Sequence, residues 1–316
     1  MVAREVDLTI ITPCYNEEAS VIDCAREVQQ VMSSKLPKVT FEHIFIDNAS
    51  SDGTVKELRK IAADLKTVKV IVNSRNVGPF RNMYAAMARA SGRAVIPMLP
   101  ADLQDPADKI PDLYREWVNG YLVVYGERTN RQENLLMRAL RGLYYRIVRT
   151  MSETDIPINS GEFMLIDRKI SEEICKLGDH YPYIRGLVAQ STSNSTSVPY
   201  TWGVRKKGKS KSNFIALIDQ AIHGFVSTSR APARIALLGG FFISGLGFMG
   251  GMWALIANVF NAPNVLQGIP TLIVALFLFG GVQLFFLGLI GEYVLSIHSQ
   301  VRRLPQEFEV ESINFK

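Results

Sequence analysis

Cysteine is scarce in this sequence, which has 3 cysteines in 316 residues, Cys14, Cys24 and Cys175. Their spacing fits neither a disulfide framework nor a zinc site, and it is typical of a reducing compartment. The first residues lead into a strand-like run without the apolar core of a signal peptide. We therefore expect the large N-terminal part of the chain to stay in the cytosol.

Charged residues are absent from Ile235 to Gly291, although Asp, Glu, Lys and Arg make up 21% of the sequence. Asn, Gly and Pro residues between 258 and 270 interrupt this run and predict a turn. The two flanks, 235–257 and 270–291, each offer the ~20 apolar residues that cross a bilayer. The run predicts a hairpin of two transmembrane helices within 233–292.

Basic residues flank this run on both sides, whereas the connection between its halves has no charge. They are Arg205, Lys206, Lys207, Lys209, Lys211, Arg230 and Arg234 before it, and Arg302 and Arg303 after it. The positive-inside bias predicts a cytoplasmic membrane protein with both termini, including a tail at 293–316, in the cytoplasm. The cluster at 205–211 is either a solvated face or a surface that attracts anionic lipids. No motif predicts nucleic-acid binding.

The N-terminal part alternates short apolar strands with stretches of helical spacing. Strands are predicted at 8–13, 41–47, 68–72, 94–99, 122–125 and 162–167, and helices at 17–32, 54–65, 80–90, 106–119, 132–151 and 169–177. This alternation predicts an α/β fold with a doubly wound, mostly parallel sheet, in a domain that spans 1–211. Ligands of such sheets bind beyond the carboxyl ends of the strands.

Residues 212–232 have apolar side chains at helical spacing from Phe214 to Phe225. The spacing predicts an amphipathic helix, which we expect to lie in the membrane interface. The alternative is that its apolar face packs on the soluble domain.

Polar residues follow three predicted strands, at Pro13 to Glu18, Asp47 to Thr54 and Pro100 to Pro106. Because parallel strands end at one edge of the sheet, these segments are expected to converge there. Neither a Gly-x-Gly-x-x-Gly motif nor a Walker loop follows the first strand, which disfavours dinucleotide and P-loop sites.

The segment Asp102-Leu-Gln-Asp105 carries the oxygen ligands that suit a hard divalent cation. Mg²⁺ or Mn²⁺ takes one or two protein carboxylates, keeps positions open for substrate phosphates and neutralises a departing diphosphate. For Asp105 the alternative is a helix cap before Pro106. Capping does not account for Asp102, which we predict to bind the metal.

The carboxylate of Asp47, at the end of a buried strand, can accept hydrogen bonds from a base or a ribose. Asp52 precedes Gly53 and Thr54, so helix capping is its alternative role. Asn16 and Glu17 either cap a helix or help to seat a nucleotide.

In order and spacing these motifs resemble the inverting GT-A glycosyltransferases. They are Pro13-x-Tyr-Asn-Glu-Glu18, Asp47-x-x-Ser-x-Asp-Gly-Thr54, Arg75-Asn-x-Gly78 and Ala101-Asp-Leu-Gln-Asp-Pro106. A narrower resemblance, to polyprenyl-phosphate glycosyltransferases of the dolichyl-phosphate mannose synthase and GtrB type, covers nearly the whole chain. It is carried by Tyr125-Gly-x-Arg128-x-x-Arg131, Gly161-Glu-Phe-x-Leu-x-Asp-Arg168, Tyr183-x-Arg185-Gly186, Gly208-x-Ser-Lys211, Gly291-Glu-Tyr293 and the two C-terminal helices.

The resemblance implies a GT-A (Rossmann-like) fold and the inverting transfer of a sugar from a nucleotide diphosphate to a polyprenyl phosphate. It implies a Mg²⁺ or Mn²⁺ site at Asp102 and Gln104, with Asp102 and Glu162 as catalytic residues. Glu162 would be a base or an orienting group, and an ordinary strand carboxylate is the alternative. The residues implied to bind the nucleotide-sugar are Pro13, Tyr15, Asn16, Glu17, Asp47, Asn76 and Asp102.

The acceptor phosphate is implied to bind Arg128, Arg131, Arg138 and Lys211. Arginine suits this task because its planar guanidinium donates to phosphate oxygens. For Arg138 and Arg141 the alternative is a solvated helix face. The expected partners are a nucleotide-diphosphate sugar, polyprenyl phosphate, membrane lipids and other copies of the chain in a homo-oligomer.

Three positions depart from the family pattern. Pro100 replaces the first acid of the usual Asp-x-Asp, Asn48 follows Asp47 where Asp-Asp is common, and Glu162 stands in a motif that more often has Asp. These departures motivate an alternative, a catalytically degenerate scaffold that binds nucleotide-sugar. A second alternative is transfer to another lipid or glycan acceptor.

Overall fold

A computed structural model describes residues 6–129, 159–179, 182–203, 269–301 and 309–315, with helical residues at intervals between 238 and 256. The chain divides into two compact units. One comprises Met1–Thr150, Thr154–Ile218 and Arg303–Lys316, and the other comprises Met151–Glu153 and Asp219–Arg302.

The described part of the first unit contains an eight-stranded sheet in the order β7-β5-β6-β4-β1-β2-β3-β8. The strands are β1 Leu8–Cys14, β2 Phe41–Asp47, β3 Val68–Asn73, β4 Ala94–Ile96, β5 Val123–Thr129, β6 Ser160–Asp167, β7 Ser195–Thr201 and β8 Glu309–Ile313. β1 pairs in parallel with β2 and β4, as do β2 with β3 and β5 with β7. β6 and β8 run antiparallel to their neighbours.

Helices connect most of these strands. They are α1 Val21–Lys35, α2 Thr54–Asp64, α3 Pro79–Ala88, a 3₁₀ turn Ala107–Lys109, α4 Ile110–Val118, α5 Arg168–Lys176 and α6 Ile184–Ser191. In α1, Val21, Cys24, Val28 and Val31 are all buried, at the spacing of three or four residues that places side chains on one helix face.

The sheet separates two apolar clusters. Successive strand residues point to opposite faces, so Ile10 packs with Val28 of α1 in one cluster and Ile11 packs with Met83 of α3 in the other. Both faces are therefore covered by helices. The predicted α/β fold with a doubly wound, mostly parallel sheet is confirmed.

The edge strand β8 is a feature that the sequence did not predict. It pairs antiparallel with β3, and the Nδ2 of Asn314 donates to the carbonyls of Ala62 and Val68, both at 2.7 Å. The Phe315 ring lies under the Arg89 guanidinium, with 4.6 Å between its centroid and Cζ. Part of the predicted tail at 293–316 thus completes the sheet.

Element boundaries differ from prediction where local chemistry intervenes. β4 ends at Ile96 instead of residue 99, because Pro97 has no N–H to donate to a neighbouring strand. The helix expected at 106–119 begins as a 3₁₀ turn. The helix predicted at 132–151 lies outside the described residues.

The second unit includes a 33-residue helix, α7 Ile269–Val301. Within the parts of the chain that the structure describes, no helix combines the length and the apolar character needed to cross a membrane. The hairpin at 233–292 is therefore still a prediction. So is the interface helix at 212–232, which lies outside the described residues.

Candidate active site

The loops that follow β1 and β2 are joined at the carboxyl edge of the sheet. The parallel register pairs Cys14 with Asp47, so the two loops start side by side. The main-chain N–H of Asn16 donates to Ser50 Oγ at 2.8 Å, and the Ser51 N–H donates to Asn16 Oδ1 at 2.7 Å. Asn16 has a positive φ of 55°, a conformation that asparagine tolerates better than most residues. Asn16 therefore holds the two loops together.

Asp47 lies fully buried at the end of β2. Its carboxylate accepts hydrogen bonds from the Ser50 N–H, at 2.9 Å, and from the Ser50 hydroxyl. Burial raises the pKa of Asp47, and the two bonds from Ser50 oppose that rise. Both oxygens of this carboxylate are therefore engaged by Ser50.

Asp52 and Glu18 contact the start of α2. Asp52 Oδ1 accepts the N–H of Thr54, the first residue of the helix, at 3.0 Å. Glu18 Oε2 accepts the Gly53 N–H at 3.0 Å, and a Cβ at position 53 would require the Glu18 carboxylate to move from this place. Gly53 and not Asp52 is the N-cap residue of α2, so Asp52 contacts the first residue of the helix without capping it.

The candidate metal ligands lie on the loop after β4. The partly buried Asp102 accepts the Gln104 N–H through Oδ1 at 3.1 Å, and Leu103 between them has a φ of 55°. Gln104 in turn contacts Gly203, whose N–H donates to the Gln104 carbonyl at 2.9 Å. Among the described residues, no three His, Cys, Asp or Glu side chains cluster as a metal site. A carboxylate and an amide nevertheless fit an ion that keeps water and substrate phosphates as ligands.

Asp105 belongs to a buried ion pair instead of a helix cap. It is 4% exposed, and its Oδ1 and Oδ2 accept from Arg128 Nε at 3.2 Å and from Arg128 Nη2 at 3.0 Å. The hydroxyl of Tyr200 donates to Oδ1 as well. The capping alternative for Asp105 is wrong, because Pro106 is the N-cap residue and no side chain caps this turn.

The Arg128 guanidinium is held on several sides. Besides Asp105 and Tyr200 it contacts the Trp202 ring, with Cζ 5.1 Å from the ring centroid. A Cβ at Gly161 would stand 2.7 Å from Nη2, so a larger residue there would displace the guanidinium from this position. Burial opposes the charged form of Arg128, but the Asp105 carboxylate and the Tyr200 hydroxyl together outweigh it and raise the pKa.

Glu162 lies on β6 beside this ion pair. Its Oε2 is buried and, among the described residues, has no hydrogen-bond partner, while Oε1 is 3.9 Å from Arg185 Nε. Burial raises the pKa of Glu162, against the positive charges of Arg185 and Arg128. A buried carboxylate with an unsatisfied oxygen and a raised pKa can take up a proton or orient a hydrogen-bond donor.

Arg185 and Tyr125 complete this cluster, and no role was predicted for either residue. Arg185 on α6 donates from Nη1 to the Ser160 carbonyl at 2.6 Å and from Nε to the Tyr183 hydroxyl at 3.1 Å. Burial raises the pKa of Tyr125 to about 12. The only signal for Arg185 was its place in the Tyr183-x-Arg185-Gly186 motif.

The remaining predicted residues fall into two groups. Tyr15 is exposed at the sheet edge, and Pro13, Glu17 and Gln104 are partly buried there. Arg131, Arg138 and Lys211 lie outside the described residues.

The sequence model of glycosyl transferase family 2 matches residues 9–175. An uncharacterised glycosyltransferase of Bacillus subtilis, YkcC, is 32% identical over 304 residues, which cover 96% of this chain and 93% of the relative. The SfII prophage-derived bactoprenol glucosyl transferase of Shigella flexneri is 31% identical over 301 residues, 95% of this chain and 96% of the relative. A structure of glucosyl-3-phosphoglycerate synthase from Mycobacterium tuberculosis with Mn²⁺ and UDP superposes with a TM-score of 0.46, at 19% identity, over 68% of this chain and 76% of that one.

Proposed function

Because this chain belongs to glycosyl transferase family 2, we propose that it transfers a sugar from a nucleotide-diphosphate sugar to a polyprenyl phosphate, with inversion. The observation that carries the proposal is its similarity to a bactoprenol glucosyl transferase along nearly the whole chain. That similarity extends beyond the α/β domain into the charge-free C-terminal run. An enzyme that shared only the donor-binding domain would not need to match there.

The donor is proposed to lie over the carboxyl ends of β1, β2 and β4. Loop residues Pro13, Tyr15, Asn16, Glu17 and Asp47 would surround the nucleotide. Asp102 and Gln104 would hold Mg²⁺ or Mn²⁺, which supplies positive charge to the departing diphosphate. The exposed ring of Tyr15 and the partly buried Asp102 are accessible for these contacts.

The chemical step follows from the charge on the acceptor. A phosphate monoester has a second pKa near ~6, so it is largely dianionic at neutral pH and needs little help from a base. One of its oxygens attacks the anomeric carbon, and the bond to the nucleotide diphosphate breaks with its electron pair. Glu162 would orient the acceptor, or take the remaining proton from a monoanion on its buried Oε2.

Guanidinium groups beside Glu162 are the proposed counter-charges of the acceptor phosphate. Arg128 is fixed on one edge by Asp105, and among the described residues its Nη1 makes no hydrogen bond. A guanidinium that is already oriented loses less entropy when it binds a phosphate. Arg131, Arg138 and Lys211 would extend this site.

We also propose that the chain is anchored in the cytoplasmic membrane by the hairpin at 233–292, with both termini in the cytoplasm and an interface helix at 212–232. Apolar side chains of α7 support this, because Leu272, Leu276 and Leu284 are each at least 67% exposed. Such surfaces are unfavourable in water and are expected to be covered by lipid or by other copies in a homo-oligomer.

The variant Asp102→Asn tests the site. We expect it to fold normally and to lose sugar transfer, because a neutral amide holds a divalent cation less well than a carboxylate. Thermal stabilisation by UDP-glucose with Mn²⁺ provides a readout that does not need turnover, since a ligand of the native state raises its stability. Asp112→Asn on α4 is the matched control. Normal turnover and stabilisation in Asp102→Asn would refute the assignment, and donor binding without turnover in the unmodified protein would favour the degenerate scaffold.

A further inference from the structure

Asparagine side chains tie the start of α3 to the end of β2. Asn82, buried in the first turns of α3, donates from Nδ2 to the Ile46 carbonyl at 2.9 Å and accepts from Asn73 Nδ2 at 2.7 Å. A second tie joins Asn48, the residue after β2, to Asn76 in the loop before α3, with 2.9 Å between Asn48 Nδ2 and Asn76 Oδ1. The loop at 74–78 is thus fixed to the sheet edge.

The main chain sets the direction of the Asn48–Asn76 hydrogen bond. Asn48 Oδ1 accepts the Val77 N–H at 2.9 Å, so the Nδ2 of Asn48 is the atom left for Asn76. Asn76 Oδ1 accepts the Gly78 N–H at 2.9 Å, so it presents its oxygen to Asn48. This arrangement requires a donor at position 48 and an acceptor at position 76.

The same contacts shape the turn into α3. Gly78 has a φ of 86°, a conformation that favours glycine, and Pro79 opens the helix with a φ that suits its first turn. The bond from the Gly78 N–H to Asn76 holds this reversal in place. Asn48 is only 3% exposed, so an ionised carboxylate at position 48 would be buried against an acceptor oxygen.

We propose that the Asn48–Asn76 amide pair positions the 74–78 loop for the donor nucleotide, and that Asn76 acts through the main chain and not by touching the nucleotide. This inference rests on the proposed function, because it takes the nucleotide to lie over the end of β2, beside the 74–78 loop that follows β3. It also gives a reason for Asn48 at a position where related enzymes commonly have a second aspartate.

The same substitution, asparagine to aspartate, is expected to have opposite effects on stability at positions 48 and 76. In Asn48→Asp an ionised carboxylate faces the Asn76 oxygen, whereas in Asn76→Asp the carboxylate still accepts from both Asn48 Nδ2 and the Gly78 N–H. A protonated carboxyl at position 48 can donate a hydrogen bond to the Asn76 oxygen, so folding raises the pKa of that carboxyl. An ionised carboxylate at position 76 accepts hydrogen bonds from Asn48 Nδ2 and from the Gly78 N–H, so folding lowers the pKa of that group.

These shifts fix the sign of the pH dependence. For Asn48→Asp, stability relative to the unmodified protein is retained below the ordinary carboxyl pKa of about 4 and falls as the pH rises through the higher folded value. For Asn76→Asp, stability is retained above about pH 4 and falls as the pH drops through the lower folded value. The ionisable side chains nearest along the chain are the same in both variants, Asp47 and Asp52 beside position 48 and Arg75 and Arg81 beside position 76. So is Cys14, whose carbonyl accepts the Asn48 N–H.

Thermal unfolding of the full chain between pH 4 and pH 8 tests the pair itself. At pH 8 we expect Asn48→Asp to lower the midpoint by at least about 3 °C, because an ionised carboxylate at the buried position 48 faces the Asn76 oxygen, and Asn76→Asp to leave it nearly unchanged. Equal shifts in the two variants, or a loss in Asn48→Asp that does not grow with pH, would overturn the proposal.

Binding of UDP, GDP and dTDP, measured by calorimetry, tests the positioning role without requiring turnover. Asn48→Asp should weaken the nucleotide that binds best by about tenfold at pH 8 and by much less at pH 5, whereas Asn76→Asp should stay within about threefold. Weaker binding in Asn76→Asp at an unchanged midpoint would show that Asn76 touches the nucleotide and would refute its role through the main chain. Failure of sugar transfer alone would count against the proposed function and leave both measurements valid.

Discussion

Removing the carboxylate of Asp105 is expected to destabilise the fold more than removing any exposed carboxylate. Its side chain is 6% exposed and that of Arg128 is 18% exposed, and two hydrogen bonds join them. Breaking a buried ion pair on one side leaves a buried charge without a counter-ion, which costs about 3–5 kcal/mol. Because Arg128 retains some contact with water, we expect Asp105→Ala to lose about 3 kcal/mol.

That loss corresponds to a fall of about 6–12 °C in the thermal midpoint for a domain of this size. Calorimetry or near-ultraviolet circular dichroism of the purified chain measures it. Glu172→Ala is the matched control, since Glu172 pairs with Arg168 at 2.6 Å but both side chains are more than 40% exposed. An exposed pair of this kind contributes less than about 1 kcal/mol.

A double variant, Asp105→Leu with Arg128→Met, tests whether the unpaired charge of Arg128 causes the loss of stability. If an unpaired buried charge causes it, removing both charges should recover most of the stability. If the midpoint of Asp105→Ala falls no further than that of Glu172→Ala, the ion pair does not stabilise the native state and the reasoning is refuted.

Two further predictions concern other parts of the molecule. Glu162→Gln should lower kcat by less than the ~10²–10⁴-fold of a full general base, because the acceptor is already largely dianionic. It should also remove an acidic limb that lies above the usual glutamate range, because burial raises the pKa of this carboxyl; an unchanged pH–rate profile would contradict its role. Deleting 309–316 should lower the thermal midpoint and increase light scattering, because it uncovers the edge of β3; identical unfolding and solubility would show that β8 is dispensable.

The central strands could be predicted because their signal is local. β1, β2 and β3 are short apolar runs bounded by polar turns, and the predicted limits agree with the observed ones to within one residue. β7 was missed because Ser195–Thr201 is rich in Ser and Thr and includes a proline. β8 was missed because its partner β3 lies far away in the sequence, and nothing local indicates that pairing.

The same limit applies to the candidate site. The three strand-end loops were located correctly, since parallel strands must end at one edge. The role of Asp105 was not found, because its partners Arg128 and Tyr200 are 23 and 95 residues away. The residues near Asp105 in the sequence suggested only two roles for it, a metal ligand or a helix cap. Contacts over such separations depend on the complete fold.

The central claim is sugar transfer to a lipid phosphate, and one measurement tests it most directly. The full chain, purified and placed in vesicles that contain undecaprenyl phosphate, is incubated with radiolabelled UDP-glucose, GDP-mannose and UDP-N-acetylglucosamine in turn, each with Mn²⁺ or Mg²⁺. We expect label from at least one donor to enter the organic phase, only when the lipid phosphate is present and not with Asp102→Asn. Label that stays in the aqueous phase with every donor, or that reaches lipid equally well without undecaprenyl phosphate, would contradict the proposed function.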